Sequence, residues 1–338
     1  MKRRLLILTL LLMHGVFTFA QDIHFSQFKN APVMINPANT GFFEDAHRFV
    51  LNSRSQWSSV TVPYRTYSFS YDMQPAYRLL QNDMLGVGFW MYGDKAGDSE
   101  FGTIQASLSL SYIFSLSAKD NNYLSFGFMG SWAERSMNYN KLYFDQQYNG
   151  EFYDPSLYSG EEAGGKSFNY FDFNLGAHWK YKPQKEQYYN LGLSLNHITR
   201  PHQSFKNDNT NRLPVKGIFY GDMSLPLMQG QSLIPGFMSA FQGSAAEIVL
   251  GSAYKYVLSS KRMTYSALQS GVYYRFGDAI ILTTALEYQR WHLGISYDIN
   301  VSDLNTASQG RGGFEISLSY KLPRKDIHRR KVIPCPIF

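Results

Sequence analysis

Residues 105–116 read Gln-Ala-Ser-Leu-Ser-Leu-Ser-Tyr-Ile-Phe-Ser-Leu. Ala106, Leu108, Leu110, Tyr112, Phe114 and Leu116 alternate with Gln105, Ser107, Ser109, Ser111, Ile113 and Ser115. A strand points successive side chains to opposite faces, so this run has one greasy and one polar face. The rhythm returns in Phe171, Phe173, Leu175, Ala177, Trp179 and Tyr181, set against Asp172, Asn174, Gly176, His178 and Lys180. It returns again in Phe314, Ile316, Leu318, Tyr320 and Leu322, set against Glu315, Ser317, Ser319 and Lys321. A soluble sandwich also alternates, but its strands average about 5 to 6 residues, whereas these runs have the length of membrane-spanning strands. Aromatics close the greasy faces at Trp57, Trp132, Trp179, Tyr181, Trp291 and Tyr320, where a membrane barrel carries its interfacial girdles.

Working outward, the pattern predicts fourteen strands: 47–57, 64–73, 84–93, 101–116, 122–136, 168–182, 188–199, 214–225, 231–242, 244–258, 265–276, 279–289, 290–301 and 311–322. Pro235 and Gly236 interrupt the ninth. Connections 74–83, 117–121, 183–187, 226–230, 259–264 and the one at Gln289-Arg290 are short, whereas 137–167, 200–213 and 302–310 on the other side are the longest. Short periplasmic turns and long external loops are the asymmetry of outer-membrane barrels. The fold class expected is all-β: a transmembrane antiparallel β-barrel of about 14 strands, with an irregular N-terminal segment able to act as a plug and a short basic C-terminal tail.

Composition agrees. Tyr and Phe number 25 each, and charged residues are 17%, below the roughly 25% of soluble domains. Lys2, Arg3 and Arg4, the apolar run Leu5–Phe19 and the small residues Thr18 and Ala20 before Gln21 read as a cleaved secretory signal over 1–20. Beyond it, no stretch is long and apolar enough for a transmembrane helix. Residues 21–46, with Pro32, Pro37 and Gly41, form the irregular periplasmic segment or plug; 47–322 the barrel; 323–338 a periplasmic basic tail. An even strand number puts both termini in the periplasm. Removing the signal's three basic residues lowers the formal charge from +6 to +3, and the tail holds Arg324, Lys325, Arg329, Arg330 and Lys331 against Asp326. The remainder is near neutral, so the charge does not argue for a nucleic-acid partner. Cys335, the one cysteine, excludes an intramolecular disulfide and a multi-Cys metal site.

Candidate chemistry is sparse. No histidine pair has the spacing of a metal motif, and His197 with His202 supplies two ligands where zinc needs more. His292, Ser296 and Asp298 share a predicted inward face, but residues four apart on a strand lie about 13 Å from one another, too far for proton transfer. Gly160 to Ser167 matches G-x-x-x-x-G-K-S formally, yet a strand follows where a phosphate loop must open a helix. No catalytic, cofactor-binding or metal residue is assigned, and no cofactor is expected. Inward-facing Arg54, Asp72, His178, Lys180, Lys255, Arg275, Glu287 and Asp298 are mixed in sign and read as a pairing network that lines or fills the lumen. The loop 137–167 holds Tyr139, Tyr143, Phe144, Tyr148, Phe152, Tyr153 and Tyr158, which either cap the mouth or dock a partner.

Phe25-Ser26-Gln27-Phe28, Ile35-Asn36-Pro37-Ala38-Asn39-Thr40-Gly41 and Arg54-Ser55-Gln56-Trp57 resemble the start of the PorP/SprF family. Gly86-Val87-Gly88, Asp94-Lys95-Ala96-Gly97, Gly313-Phe314-Glu315-Ile316-Ser317-Leu318 and Cys335-Pro336-Ile337-Phe338 are similar to later parts of it. Ile337 stands where that family often has a basic residue before the final Phe. The resemblance implies a Bacteroidota outer-membrane protein of type IX secretion that assists export or surface attachment of a partner, commonly a large adhesin, in some members for gliding motility. On this reading Tyr143, Phe144, Tyr148, Phe152, Tyr153 and Tyr158 meet a secreted surface protein. Arg324, Lys325, Arg329, Arg330 and Lys331 face periplasmic secretion components, and the barrel wall faces lipid. The alternative is a passive porin or fatty-acid-type transporter.

Overall fold

The structure, a computed structural model, describes residues 22–56, 62–75, 83–160, 167–205, 211–261, 263–303 and 305–323. The expected signal, Trp57, the Gly164–Lys166 part of the glycine-rich loop and the basic tail lie outside them. Fourteen strands form: β1 (His47–Gln56), β2 (Tyr64–Met73), β3 (Met84–Ala96), β4 (Phe101–Ser115), β5 (Asn122–Ser136), β6 (Ser167–Tyr181), β7 (Tyr188–Asn196), β8 (Lys216–Met228), β9 (Gln231–Gln242), β10 (Ala245–Ser259), β11 (Ser266–Arg275), β12 (Ala279–Tyr288), β13 (Trp291–Asn300) and β14 (Arg311–Leu322). Each pairs antiparallel with its sequence neighbour, and β1 pairs with β14 to close the ring. Closure leaves no unpaired strand edge, which lipid would not tolerate. Among the described residues no helix is long and apolar enough to cross a membrane; the strands do so.

The alternation sets the two faces as expected. On β4, Leu108 is 69% exposed and Leu110 52%, while Ser109 between them is 1% exposed. Phe126, Phe128, Phe171, Phe173 and Leu193 join the outward belt. Water would penalise such a surface, and the hydrocarbon core is the solvent that suits it. Pro235 stays within β9. Its pairing with Ser252 of β10 continues, while the β8–β9 register passes from Asp222↔Gly236 to Leu225↔Leu233 around the missing donor.

Residues 22–46 lie within the ring. They form three short turns, Phe28–Asn30, Pro32–Ile35 and Pro37–Asn39. Pro32 and Pro37 open the latter two, where a missing N–H costs nothing. The Asn36 side chain caps the third by accepting from Ala38 N. Gly41, at φ +65°, then redirects the chain toward β1.

One mouth carries the 137–166 loop and is called the loop mouth; the other carries the turns 116–121 and 182–187 and is called the turn mouth. Asp22 touches the loop-mouth ends of β7, β8 and β9, whereas Leu322 ends β14 at the turn mouth. The described residues thus begin at the loop mouth and end at the turn mouth, with residues 22–46 running through the lumen between them.

Arginine in place of Leu110 is expected to destabilise the barrel by about 2–4 kcal/mol near the bilayer midplane. Phenylalanine there should be nearly neutral. Denaturant titration in lipid vesicles measures both, and equal effects would mean that Leu110 does not face lipid.

Candidate functional site

The lumen is where the chain concentrates its polar chemistry. Toward the loop mouth, the backbone N–H groups of Ser26 and Gln27 donate to the Glu315 carboxylate at 2.8 and 3.0 Å. Ser26 Oγ donates to Asp298 at 2.7 Å and accepts from Arg54 and Arg275 at 2.6 and 2.7 Å. Arg54 pairs with Asp298 and Glu315, and Arg275 with Asp298, Glu247 and Asp278. All but Asp278 are at least nine-tenths buried. Buried charge is tolerated only when paired and hydrogen-bonded, and here one serine sits at the centre of the pairing.

Further along, inward serines receive the segment's carbonyls. Ser194 Oγ donates to Ile35 O, Ser125 Oγ to Ala38 O and Ser111 Oγ to Thr40 O. Asn36 Nδ2 reaches Ala177 O at 2.9 Å and Leu193 O at 3.2 Å. Gly41 N donates to Asp72, which is fully buried and paired with Arg48 at 2.7 Å. Gln74 donates to the carbonyls of Gly41 and Phe43.

The wall makes room with glycine. A Cβ on Gly127 would overlap the Pro37–Ala38 backbone, one on Gly176 the Asn36 amide, and one on Gly86 the Thr40 carbonyl. Glycine inside a strand marks such close backbone approach. Apolar contacts fill the rest: Phe28 and Ile35 pack with Ile218, Tyr220, Met238 and Ile281, and Val33 with Trp90 and Met129. A cavity of about 160 Å³ remains between residues 26–30 and the wall near Tyr188, Gln269 and Thr283.

At the loop mouth His197 bridges two carboxylates, Asp22 through Nε2 and Asp172 through Nδ1, each at 2.6 Å. Burial disfavours charge on His197, but the Asp22 and Asp172 carboxylates outweigh it and raise its pKa to about 9. Burial alone would raise Asp22; His197, Lys216 and Arg135 instead hold it well below the usual carboxylate range.

Of the inward charges named from sequence, Arg54 and Arg275 pair with Asp298, Lys255 pairs with Glu287, and Asp72 pairs with Arg48, which was not among them. His178 bonds Tyr220 at 2.9 Å, and Lys180 lies 5.6 Å from the Phe42 ring centre. His292, Ser296 and Asp298 are not brought together. Asp298 is held by the two arginines, while Ser296 Oγ and His292 Nε2 are buried without a hydrogen bond among the described residues. In the loop, Tyr143, Tyr148, Phe152 and Tyr158 are exposed, and Phe144 and Tyr153 are partly covered. Tyr143 packs edge-on against Tyr153 at 4.6 Å, within the loop itself.

The profile of the type IX secretion system membrane protein PorP/SprF family matches residues 17–320. The chain belongs to the PorP/SprF family. No curated protein matches it. Solved structures share the fold. The Ralstonia pickettii toluene transporter TbuX gives a TM-score of 0.53 at 10% identity, covering 87% of this chain and 94% of that one. The Pseudomonas putida toluene transporter TodX gives 0.52 at 12%, covering 86% and 92%. The CymD monoaromatic hydrocarbon channel gives 0.51 at 10%, covering 87% and 93%. At such identities the likeness is one of fold. In this PorP/SprF chain residues from five of the stretches that carried the resemblance meet in the lumen: Ser26 and Gln27, Asn36 to Gly41, Arg54, Gly86 and Glu315 are among the residues that seat the segment. Arg48, Glu247 and the Asp22–His197 contact were not read from sequence; Arg48 shares the inward parity of Arg54, which was the available signal.

Two outcomes are expected. Arg54→Met leaves Glu315 buried with its main counter-charge gone and should cost about 3–5 kcal/mol. Adding Glu315→Gln should recover part of that, as read by the temperature at which the barrel unfolds in detergent. Second, His197 with its raised pKa contributes fully below its ordinary value of 6.5, and the contribution is lost as pH rises through about 9. Asp22, with its lowered pKa, contributes above 3.8 and loses its part only in strong acid. Protection factors of the amides of residues 22–26, meaning exchange corrected for hydroxide catalysis, should therefore fall between pH 7 and 10, and His197→Gln should remove that fall.

Proposed function

We propose that this PorP/SprF chain is a non-enzymatic accessory that assists export and surface anchoring of a partner protein through its outer loops. The family makes it a type IX secretion membrane component, and the fold with the family fits the bacterial outer membrane. The observation that carries the rest is a contrast: the lumen is occupied by the chain's own segment, while Tyr143, Tyr148, Phe152 and Tyr158 are left exposed. Aromatics offer large contact area at low entropic cost, which favours docking over capping. The resemblance points to a large adhesin as partner, with gliding motility as one setting. The loop side faces outward, and Arg324, Lys325, Arg329, Arg330 and Lys331 meet periplasmic secretion components.

The transporter reading draws on the likeness to the toluene transporters TbuX and TodX. The ion-paired grip on Ser26 weighs against free passage through the lumen.

Deleting Tyr143–Tyr158 should leave the barrel assembled and release or trap a secreted surface protein, read by comparing surface and culture-fluid proteomes. A rise in small-solute permeability with an unchanged surface proteome would overturn anchoring by this loop and favour transport.

A further inference from the structure

We infer that the Asp22 end of the lumen segment is presented at the loop mouth, so that it is part of the face an exported partner meets. The path is fixed contact by contact. Asp22 bonds His197, one residue beyond β7, and Gln242, the last residue of β9, and lies 3.9 Å from Lys216, the first of β8. All three positions are strand ends on the loop side.

The segment's first and last anchors lie on opposite sides of the barrel. Ser26 is held by Asp298 and Arg275, near the loop-side ends of β13 and β11. Asn30 O accepts from Asn52, midway along β1. Ala38 O meets Ser125 and Thr40 O meets Ser111, in the turn-side halves of β5 and β4. Glu44 pairs with Lys182, just past β6, and Ala46 N donates to Leu322 O at the turn mouth. A hatch hung from the turn side would return its free end there. This segment crosses once, and its 25 residues reach easily across a hydrocarbon layer of about 30 Å.

Two features keep the Asp22 end in place. His197 Nε2 holds Asp22, and Asp172 braces the ring from behind at Nδ1. Below, withdrawal toward the turn mouth would drag Asp22 past Arg54 and Arg275 and strip Ser26, Gln27 and Gly41 of their carboxylate partners. The segment is thus a resident stopper whose Asp22 end lies on the loop side. The aromatic loop and this end then make one composite docking face, a step that rests on the anchoring reading above.

An epitope inserted between Gln21 and Asp22 tests the position, alongside separate insertions after Gly160 and after Pro323. Antibody binding to intact and permeabilised cells is compared. The Gln21 and Gly160 epitopes are expected to be reached together on intact cells, and the Pro323 epitope only after permeabilisation. Because an insertion can disturb signal cleavage, Asp22→Cys in a Cys335→Ser background is labelled in parallel with a membrane-impermeant maleimide. If the Gln21 epitope and the thiol introduced by Asp22→Cys both behave like the Pro323 epitope, the inference is overturned. If all barrels were inverted, the Gln21 and Gly160 epitopes would be shielded together; that sinks the outward-loop reading and supports the threading. A folded domain fused before Asp22 should lower partner retention. Full retention with the domain at the surface overturns the docking role of the Asp22 end, whatever the loop deletion shows.

Discussion

A peptide chain with no regular ladder of its own cannot sit inside a barrel unless something else takes up its N–H and C=O groups. Residues 22–46 meet that demand in two ways: their short turns bond internally, as Asn30 N does to Gln27 O, Ile35 N to Ala31 O and Thr40 N to Pro37 O, and the wall takes up groups that the turns leave over. Glu315 and Asp72 accept backbone N–H groups; Ser111, Ser125 and Ser194 donate to carbonyls; the Asn36 side chain serves both the segment and two strand carbonyls. This requirement explains why the inward face is rich in serine rather than filled with large charged side chains. Small hydroxyls leave space for a backbone, and each can turn its proton toward the carbonyl that needs it.

The barrel was legible because its signal is periodic and repeated. β2, β5, β9 and β14 coincide with the ranges read from alternation, and other ends differ where bulges and loops blur the pattern. Even the strand broken by Pro235 and Gly236 was recoverable, since its outer pairing needs only one intact side. The segment was harder. It has no period, and its partners lie hundreds of residues away, as Ser26 and Glu315 do. Its traces were nevertheless present as inward glycines at 86, 127 and 176, positions where alternation leads one to expect a side chain. Read as grooves rather than as weak strand formers, they mark where another backbone passes.

The mixed inward charges show why function cannot be read from residue type alone. His292, Ser296 and Asp298 have the composition of a hydrolase, yet Asp298 is committed to two arginines and a serine of the segment. Charge of both signs at one height also makes a poor selectivity ring, because neither sign governs the field. The exposed aromatics Tyr143, Tyr148, Phe152 and Tyr158 lie outside the lumen, on the loop. There sequence could count aromatics but not say whether they fold inward.

The closing pair of strands carries one more implication. Arg54 of β1 and Glu315 of β14 stand directly opposite one another in register, and both reach into the Ser26 cluster. β1 and β14 are the first and last strands made, so their junction is where the ring zips shut. Ser26 and Gln27 stitch that junction from the inside, as a staple spans a seam. Closing the cylinder and seating the segment are therefore coupled events. A finished molecule has no easy side door along this line: parting the two strands means breaking their ladder and tearing out the staple together.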